Sequence, residues 1–423
     1  MQQQEQLWEL LVEFQDCFAC NEVDLGQTSL VQHNIDTGDA TPIRQRPRRM
    51  PLGRQEAAEQ ALSKMQHAVI RKDSYPLPRV DECLDLVAGS SWFSSLDLRS
   101  GYWQVPLTPE AQPKTAFCTG RGLWQFKVLS FGLCNAPATF ERLMERVLEG
   151  VPRQQCLVFL DDILAHGGSF HLAITALRAV LEKIRSAGLK LHPNKCRLLS
   201  REVTFLGHRI GSEGIGTAED KVRAVREWPV PANQRELKSF LGLASYNRKF
   251  VQGFSCIAAP LYKLLKKDQC FVWSEDCQNA FDTLKQTLVC APILAPPDPQ
   301  LAFVLDTDAS GDGIGAVLSQ VWPNGEKVVA YHSKVLSKAE KRYCVTRREL
   351  LAAISAIRHF KYYLCGRHFT IRSDHASLQW LMTFKEPEGQ VARWLEELQS
   401  YEFTVTHRAG ERHGNADAVK TAM

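Results

Sequence analysis

Two adjacent aspartates, Asp161 and Asp162, end an apolar run in the segment QCLVFLDDILAHGG (155–168). Burying one unpaired carboxylate costs roughly several kcal/mol, so a buried strand that ends in two of them needs a compensating positive charge. A second apolar run, SWFSSLDL (91–98), carries Asp97 near its end in the same way. Carboxylate oxygens suit Mg²⁺ or Mn²⁺, and two such ions support phosphoryl or nucleotidyl transfer. The alternative is a turn-forming Asp pair with no chemistry.

Four further acids follow in the order Asp308, Glu349, Asp374 and Asp417. Asp308 ends an apolar strand pattern before a glycine-rich turn, Glu349 lies in the first turn of a predicted helix, and Asp374 ends another strand pattern. Each acid has an ordinary structural alternative. Thr346 and Glu349 fit a capping box, Asp374 fits a helix cap, and Asp417 fits a plain surface position. The order of the four acids favours a second metal site.

The elements that must position these acids alternate between strand and helix patterns. The strand patterns are SWFSSLDL, QCLVFLDD, LAFVLDTDAS and HFTIRSD, and the helical patterns include APATFERLMERVLEGV (136–151), SFHLAITALRAVLEKIRSAGLKL (169–191) and RRELLAAISAIRHFKYYL (347–364). Residues 213–296 are predicted to be mainly helical, and APILAPPDPQ (291–300) predicts a domain boundary. Alternation sends Asp161 and Asp162 to opposite faces unless a hairpin turns there, and residues 166–168 (HGG) favour a nearby turn.

The whole-chain numbers describe an ordinary globular protein. Its 423 residues suggest about three domains, and 44% hydrophobic with 23% charged residues exclude a disordered chain. The net charge is only +4, but TPIRQRPRRMPLGR (41–54) has five arginines and no acid, which fits either a polyanion contact or a solvated connector. Thirteen cysteines without paired spacing, no signal pattern and no long apolar run predict an intracellular protein without a membrane span.

Several long motifs resemble the reverse transcriptase of Ty3/gypsy-type long-terminal-repeat retrotransposons. These motifs are KDSYPLPRVDECLDLVAGSSWFSSLDLRSGYWQVPL, KTAFCTGRGLWQFKVLSFGLCNAPATFERLM, CLVFLDDIL, GLKLHPNKCRLLSREVTFLGHRIGSEGI and ELKSFLGLASYNRKFV. The resemblance runs from about residue 30 to 418. It implies a multi-domain α+β fold, with a right-hand polymerase palm and thumb/connection followed by a ribonuclease H-like mixed-sheet domain. The expected domains are an N-terminal helix with an Arg/Pro connector (1–65), a palm lacking most of the fingers (66–212), a thumb/connection (213–296) and a ribonuclease H domain (297–423).

The resemblance also implies roles for residues of the palm. Asp97, Asp161 and Asp162 match the catalytic carboxylates that bind Mg²⁺. Tyr102 matches the tyrosine that packs on the deoxyribose and excludes a 2′-hydroxyl, and Phe131 and Gly132 match the loop that lines the nucleotide pocket.

In the ribonuclease H domain, the resemblance assigns Asp308, Glu349, Asp374 and Asp417 as the catalytic acids that hold two Mg²⁺ ions. His407 matches a mobile histidine that helps product leave, and a plain surface histidine is the alternative. The expected activity is Mg²⁺-dependent hydrolysis of RNA in RNA–DNA hybrids, with substrate choice set by hybrid shape and 2′-hydroxyl contacts.

One departure from the family lies where SKMQHAVIRKDSYPLPR (63–79) passes straight from a helix to the palm, without the fingers hairpin that grips the triphosphate. We therefore expect RNA-directed DNA polymerase activity to be weak or absent. The implied partners are an RNA template, an RNA–DNA hybrid, a DNA primer and deoxynucleotides. The implied location is a cytoplasmic virus-like particle or the nucleus, and the implied context is one piece of a larger polyprotein. The alternative function is a non-catalytic, nucleic-acid-binding remnant of a retroelement.

Overall fold

The computed structural model describes residues 2–21, 23–39, 70–119, 122–267, 269–373 and 388–407. It confirms the predicted α+β class and divides the chain into two compact units, Met1–Leu206 and Gly207–Met423. The arginine-rich stretch 41–54 and the site of the expected fingers deletion at 65–68 lie outside the described residues. The domain boundaries expected after residues 65, 212 and 296 stay predictions.

The first unit is built on a four-stranded antiparallel sheet. The strands of the whole unit are β1 (Trp92–Asp97), β2 (Phe117–Thr119), β3 (Gly122–Trp124), β4 (Cys156–Phe159), β5 (Asp162–Gly167), β6 (Arg197–Ser200) and β7 (Glu202–Phe205). Its helices are α1 (Gln2–Glu13), α2 (Val80–Leu86), α3 (Ala136–Val147) and α4 (Phe170–Ser186). The sheet order is β4-β5-β1-β6, and β2 with β3 forms a separate hairpin.

Local sequence signals explain where the two long helices of this unit begin and end. The side chain of Ser169 accepts a hydrogen bond from the Leu172 N–H at the start of α4, and Gly188 takes a left-handed conformation (φ +69°) just beyond its end. A proline in the first turn of α3 suits that position because no helical hydrogen bond is lost there. The apolar faces of α1, α3 and α4 share one core with the sheet.

The second unit begins with a strand hairpin and a helical region. Its first elements are β8 (His208–Gly211), β9 (Gly214–Thr217), α5 (Glu219–Arg226), α6 (Gln234–Tyr246), α7 (Phe254–Ile257), α8 (Ala259–Lys263) and α9 (Glu275–Val289). The rings of Phe240 and Phe281, 4.6 Å apart, join α6 to α9 in the core of this region. Residues 213–296, predicted to be mainly helical, contain α5 to α9 and also the strand β9.

A five-stranded mixed sheet follows. Its strands are β10 (Phe303–Ala309), β11 (Gly313–Trp322), β12 (Gly325–Val335), β13 (Phe369–Ser373) and β14 (Phe403–His407), and its helices are α10 (Val345–His359), α11 (Lys361–Leu364) and α12 (Gly389–Gln399). The order is β12-β11-β10-β13-β14, with β10 to β12 antiparallel and β13 and β14 parallel to β10. The predicted mixed sheet is confirmed. Among the residues that the structure describes, no helix is both long and apolar enough to cross a membrane.

Two alternatives left open by the sequence are resolved. The apolar run at 155–168 forms two strands with a turn at Leu160 and Asp161, so the hairpin alternative for the Asp pair holds, although His166 and Gly167, which favoured it, pair within β5. The capping box of Thr346 with Glu349 does not form, because α10 begins at Val345 and places Glu349 beyond the first turn in which it was expected.

Candidate active site

Three carboxylates lie together at one edge of the four-stranded sheet. Asp97, the last residue of β1, stands opposite Asp162, the first residue of β5. Asp161 is the second residue of the two-residue turn that joins β4 to β5. Directly opposed residues of an antiparallel pair have Cβ atoms about 4.5–5.5 Å apart. We call Asp97, Asp161 and Asp162 the carboxylate edge, and it contains all three acids that the sequence predicted for the first site.

The turn that carries Asp161 has a strained backbone. Leu160 has φ +54°, in the left-handed region that costs a residue with a side chain about 1–2 kcal/mol. Its N–H donates a hydrogen bond of 2.7 Å to Oε2 of Glu141, a 1% exposed residue on α3. Sequence reasoning missed Glu141, although a charged residue on the apolar face of a helix was a usable signal.

Burial and mutual repulsion change the protonation of the carboxylate edge. Burial raises the pKa of Asp161 to about 6, and the neighbouring Asp162 and Asp97 charges add to this effect. Partial burial and the Asp97 charge raise the pKa of Asp162. Lys195 opposes both shifts, and its Nζ lies 3.4 Å from Oδ1 of Asp97. No local sequence pattern singles out Lys195.

The chemistry of the carboxylate edge fits a hard divalent cation. Within the described ranges, no three His, Cys, Asp or Glu side chains converge as a ready-made metal-binding group. Asp97 instead pairs with Lys195. In the same ranges Oδ1 of Asp161 is buried without a hydrogen-bond partner, beside two further carboxylates whose charges it feels. Oxygen donors of this kind are the ligands that Mg²⁺ prefers, so Asp97, Asp161 and Asp162 are candidate ligands for it.

Aromatic rings lie beside the carboxylate edge. Tyr102 is in a short 3₁₀ turn (Gly101–Gln104), and its ring centroid is 5.2 Å from that of Phe131 and 5.3 Å from that of Phe140. Burial and the Asp161 charge raise the pKa of Tyr102 to about 12, so its phenol stays protonated. Phe131 is 61% exposed, and Gly132 after it has φ +88°. The predicted nucleotide-pocket residues thus form an accessible aromatic surface near Asp161.

The second predicted site is only partly described. Asp308 on β10 and Glu349 on α10 are both buried, and α10 packs against β10. Nη1 of Arg348 donates a 2.9 Å hydrogen bond to the carbonyl of Ser310, which fastens the start of α10 to the loop after β10. Asp374 and Asp417 lie outside the described residues. His407 is exposed at the end of β14, where it pairs with Ser373 across the sheet.

A partly buried ion network links β10, β12 and β13 near this second site. Arg372 on β13 stands beside Asp306 on β10, and its Nε donates a 2.7 Å hydrogen bond to Oδ1 of that 0% exposed carboxylate. Its Nη2 contacts the other Asp306 oxygen, and its Nη1 donates a 2.9 Å bond to Oε2 of Glu326 on β12. Sequence reasoning missed this network, because its members are far apart in the chain.

Comparison with known proteins identifies both parts of the chain. The family described as "Reverse transcriptase (RNA-dependent DNA polymerase)" matches residues 49–210. The family described as "RNase H-like domain found in reverse transcriptase" matches residues 273–371. These two matches cover the carboxylate edge and the Asp308 and Glu349 pair.

The curated relatives are polyproteins of retrotransposons. The retrovirus-related Pol polyprotein from transposon 297 of Drosophila melanogaster is 38% identical over 348 residues, which are 82% of this chain and 32% of that protein. The transposon Tf2-3 polyprotein of Schizosaccharomyces pombe is 34% identical over 355 residues, 83% of this chain and 27% of that protein. The chain spans about a third or less of the length of these relatives.

Solved structures share the fold. A foamy viral protease-reverse transcriptase in complex with double-stranded DNA gives a TM-score of 0.84 at 22% identity, over 96% of this chain and 79% of that one. A foamy viral protease-reverse transcriptase in complex with an RNA/DNA hybrid gives 0.76 at 22% identity, over 97% of this chain and 61% of that one. With its reverse transcriptase domain followed by an RNase H-like domain, the chain belongs to the Ty3/gypsy-type retrotransposon Pol polyprotein family.

Proposed function

We propose that this chain is a Mg²⁺-dependent reverse transcriptase with ribonuclease H activity, acting on an RNA template, a DNA primer and the RNA–DNA hybrid between them. The observation that carries the proposal is the carboxylate edge, in which Asp97 stands opposite Asp162 with Asp161 in the adjoining turn. The complexes of the foamy viral proteins with double-stranded DNA and with an RNA/DNA hybrid support nucleic-acid partners for the same fold.

At the first site, the chain's own residues would bind and orient the reactants. Mg²⁺, or Mn²⁺ in its place, would activate the attacking oxygen and stabilise the leaving oxygen of an in-line displacement when bound. Asp97, Asp161 and Asp162 are the proposed ligands. Tyr102 would pack under the deoxyribose of the incoming nucleotide and leave no space for a 2′-hydroxyl, while Phe131 and Gly132 line the accessible side of the pocket.

At the second site, hydrolysis of the RNA strand is proposed for Asp308 and Glu349 together with Asp374 and Asp417. The observation in favour is that Asp308 and Glu349 are buried on elements that pack together. Because burial of a carboxylate is unfavourable, two buried acids on neighbouring elements indicate a functional or structural reason for their position. The exposed position of His407 at the end of β14 supports a role in releasing cleaved product.

The two activities are not expected to be equal. The sequence between the N-terminal segment and the palm lacks the fingers hairpin, so hybrid cleavage is the stronger expected activity and primer extension the weaker one. The proposed place of action is a cytoplasmic virus-like particle or the nucleus, and this part rests on the retrotransposon relatives.

The test measures both activities in one preparation. The purified chain is given Mg²⁺ with an end-labelled RNA/DNA hybrid, and separately with a primed RNA template and deoxynucleotides. Asp308→Asn is expected to abolish cleavage and spare extension, and Asp161→Asn is expected to do the reverse, so each variant is the matched control of the other. Wild-type protein that binds the hybrid in a gel shift but shows neither activity would replace the proposal with the non-catalytic remnant.

A further inference from the structure

The strained turn under Asp161 depends on a side chain from another element. Leu160 (φ +54°) and Asp161 are the whole connection between β4 and β5, so the backbone of Leu160 sets the direction in which the Asp161 carboxylate points. Because β4 is an edge strand of the sheet, strand pairing on its outer side does not restrain the turn.

The contact that restrains this turn comes from α3. Oε2 of Glu141 accepts the Leu160 N–H at 2.7 Å, and the carboxylate is 1% exposed. A buried bond of this kind is costly to lose, because the Leu160 N–H would be left without its acceptor. The two residues are 19 positions apart, so the bond ties the turn to a helix that packs in the core of the unit.

We propose that Glu141 is a positioning residue for the polymerase site: it holds the Leu160–Asp161 turn in its left-handed conformation and so aims the Asp161 carboxylate at the metal site. The proposal rests on the proposed polymerase function for its catalytic consequence. The hydrogen bond of Glu141 is to the Leu160 peptide, so Glu141 acts on the Asp161 carboxylate through the backbone of the turn.

The test uses three variants on the same helix. Glu141→Leu removes the carboxylate acceptor and fills most of the space of the glutamate side chain. Glu141→Ala is unsuitable, because Glu141 lines a cavity of about 310 Å³ and water from this cavity would replace the lost carboxylate oxygen. Glu141→Gln keeps an acceptor of the same length. Thr139→Val is the matched control, because it removes another buried side-chain bond of α3, that of Thr139 Oγ1 with His33 Nδ1 at 2.8 Å, which does not involve Leu160 or Asp161.

The first measurement is hydrogen exchange of the Leu160 amide, which needs no activity. Glu141→Leu is expected to speed this exchange by at least about tenfold, since a lost bond of about 1.4 kcal/mol changes an equilibrium by that factor. Glu141→Gln and Thr139→Val are expected to leave it near the wild-type rate. An unchanged Leu160 amide in Glu141→Leu overturns the proposal.

The second measurement is the ratio of the two activities. Glu141→Leu is expected to lower kcat for primer extension by about tenfold or more and to raise the half-saturating Mg²⁺ concentration, while RNA/DNA hybrid cleavage by the same molecules stays constant. Equal loss of both activities, or equal damage by Glu141→Gln, would contradict a positioning role. If wild-type protein extends no primer, the polymerase function fails, whereas the exchange rates still decide whether Glu141 holds the turn.

Discussion

Replacing Arg372 with methionine would leave the Asp306 carboxylate without its guanidinium partner inside the mixed sheet. The side chain of Asp306 is 0% exposed and that of Arg372 16% exposed, so water does not readily take the place of the missing cation. Removing one partner of a buried ion pair costs about 3–5 kcal/mol, because an uncompensated charge stays behind. In a unit of roughly 200 residues, 1 kcal/mol moves the midpoint by about 2–4 °C, so we expect Arg372→Met to lower the melting temperature by roughly 6–20 °C.

The matched control is Arg358→Met. Arg358 also makes a two-bond pair, with Glu397 on α12, but their side chains are 54% and 31% exposed, and exposed pairs contribute about 1 kcal/mol or less. Scanning calorimetry of both variants measures the difference. The double variant Arg372→Met with Asp306→Asn removes the buried charge and should recover a large part of the loss. If Arg372→Met melts within about 2 °C of Arg358→Met, the reasoning about burial is wrong.

Three further outcomes are expected. The Asp161 carboxyl has a pKa of about 6 in the folded chain and near 4 in an unfolded chain. The free energy of unfolding, measured by urea titration in EDTA, should therefore fall as pH rises from about 4 to 6. Asp161→Asn should flatten that pH dependence. Tyr102→Val should raise the ribonucleotide-to-deoxyribonucleotide ratio of kcat/KM by about tenfold or more, and an unchanged ratio would remove Tyr102 from the nucleotide pocket. Gly101→Ala would place a Cβ 2.8 Å from Cζ of Phe140 and should cost about 1–3 kcal/mol in thermal unfolding, while Gly242→Ala, with open space around its Cβ, should be neutral or stabilising.

Local patterns were enough to predict the elements that carry the acids. The apolar run ending in Asp97 became β1, the strand pattern with Asp308 became β10, and the helical pattern with Glu349 became α10. These signals lie within a few residues of the element that they define. The two apolar runs that end in acids gave the hypothesis that Asp161 and Asp162 belong with Asp97, the family resemblance favoured it over a plain turn, and the strand register agrees with it.

Features that depend on distant contacts were not predictable in this way. Leucine is not a residue that favours a left-handed turn, so the sequence indicated a turn at the Asp pair only through the glycines that follow it, and not through Leu160. The conformation there is stabilised by Glu141, which lies on another element. The same holds for Arg372 and Asp306, which the parallel pairing of β10 with β13 brings side by side. Contacts of this kind exist only after the sheets have formed.

Because only two residues connect β4 to β5, the number of residues in this segment matters as much for the carboxylate edge as the presence of its three aspartates. Inserting or deleting one residue at Leu160 or Asp161 would turn the following side chains of β5 to the opposite face, and Asp162 would no longer stand opposite Asp97. A sequence with a one-residue insertion in this turn, or with Leu160 deleted, would keep all three aspartates and lose their alignment. An unchanged interval between Cys156 and Gly167 is therefore a stricter criterion for an intact carboxylate edge than the presence of the three acids alone.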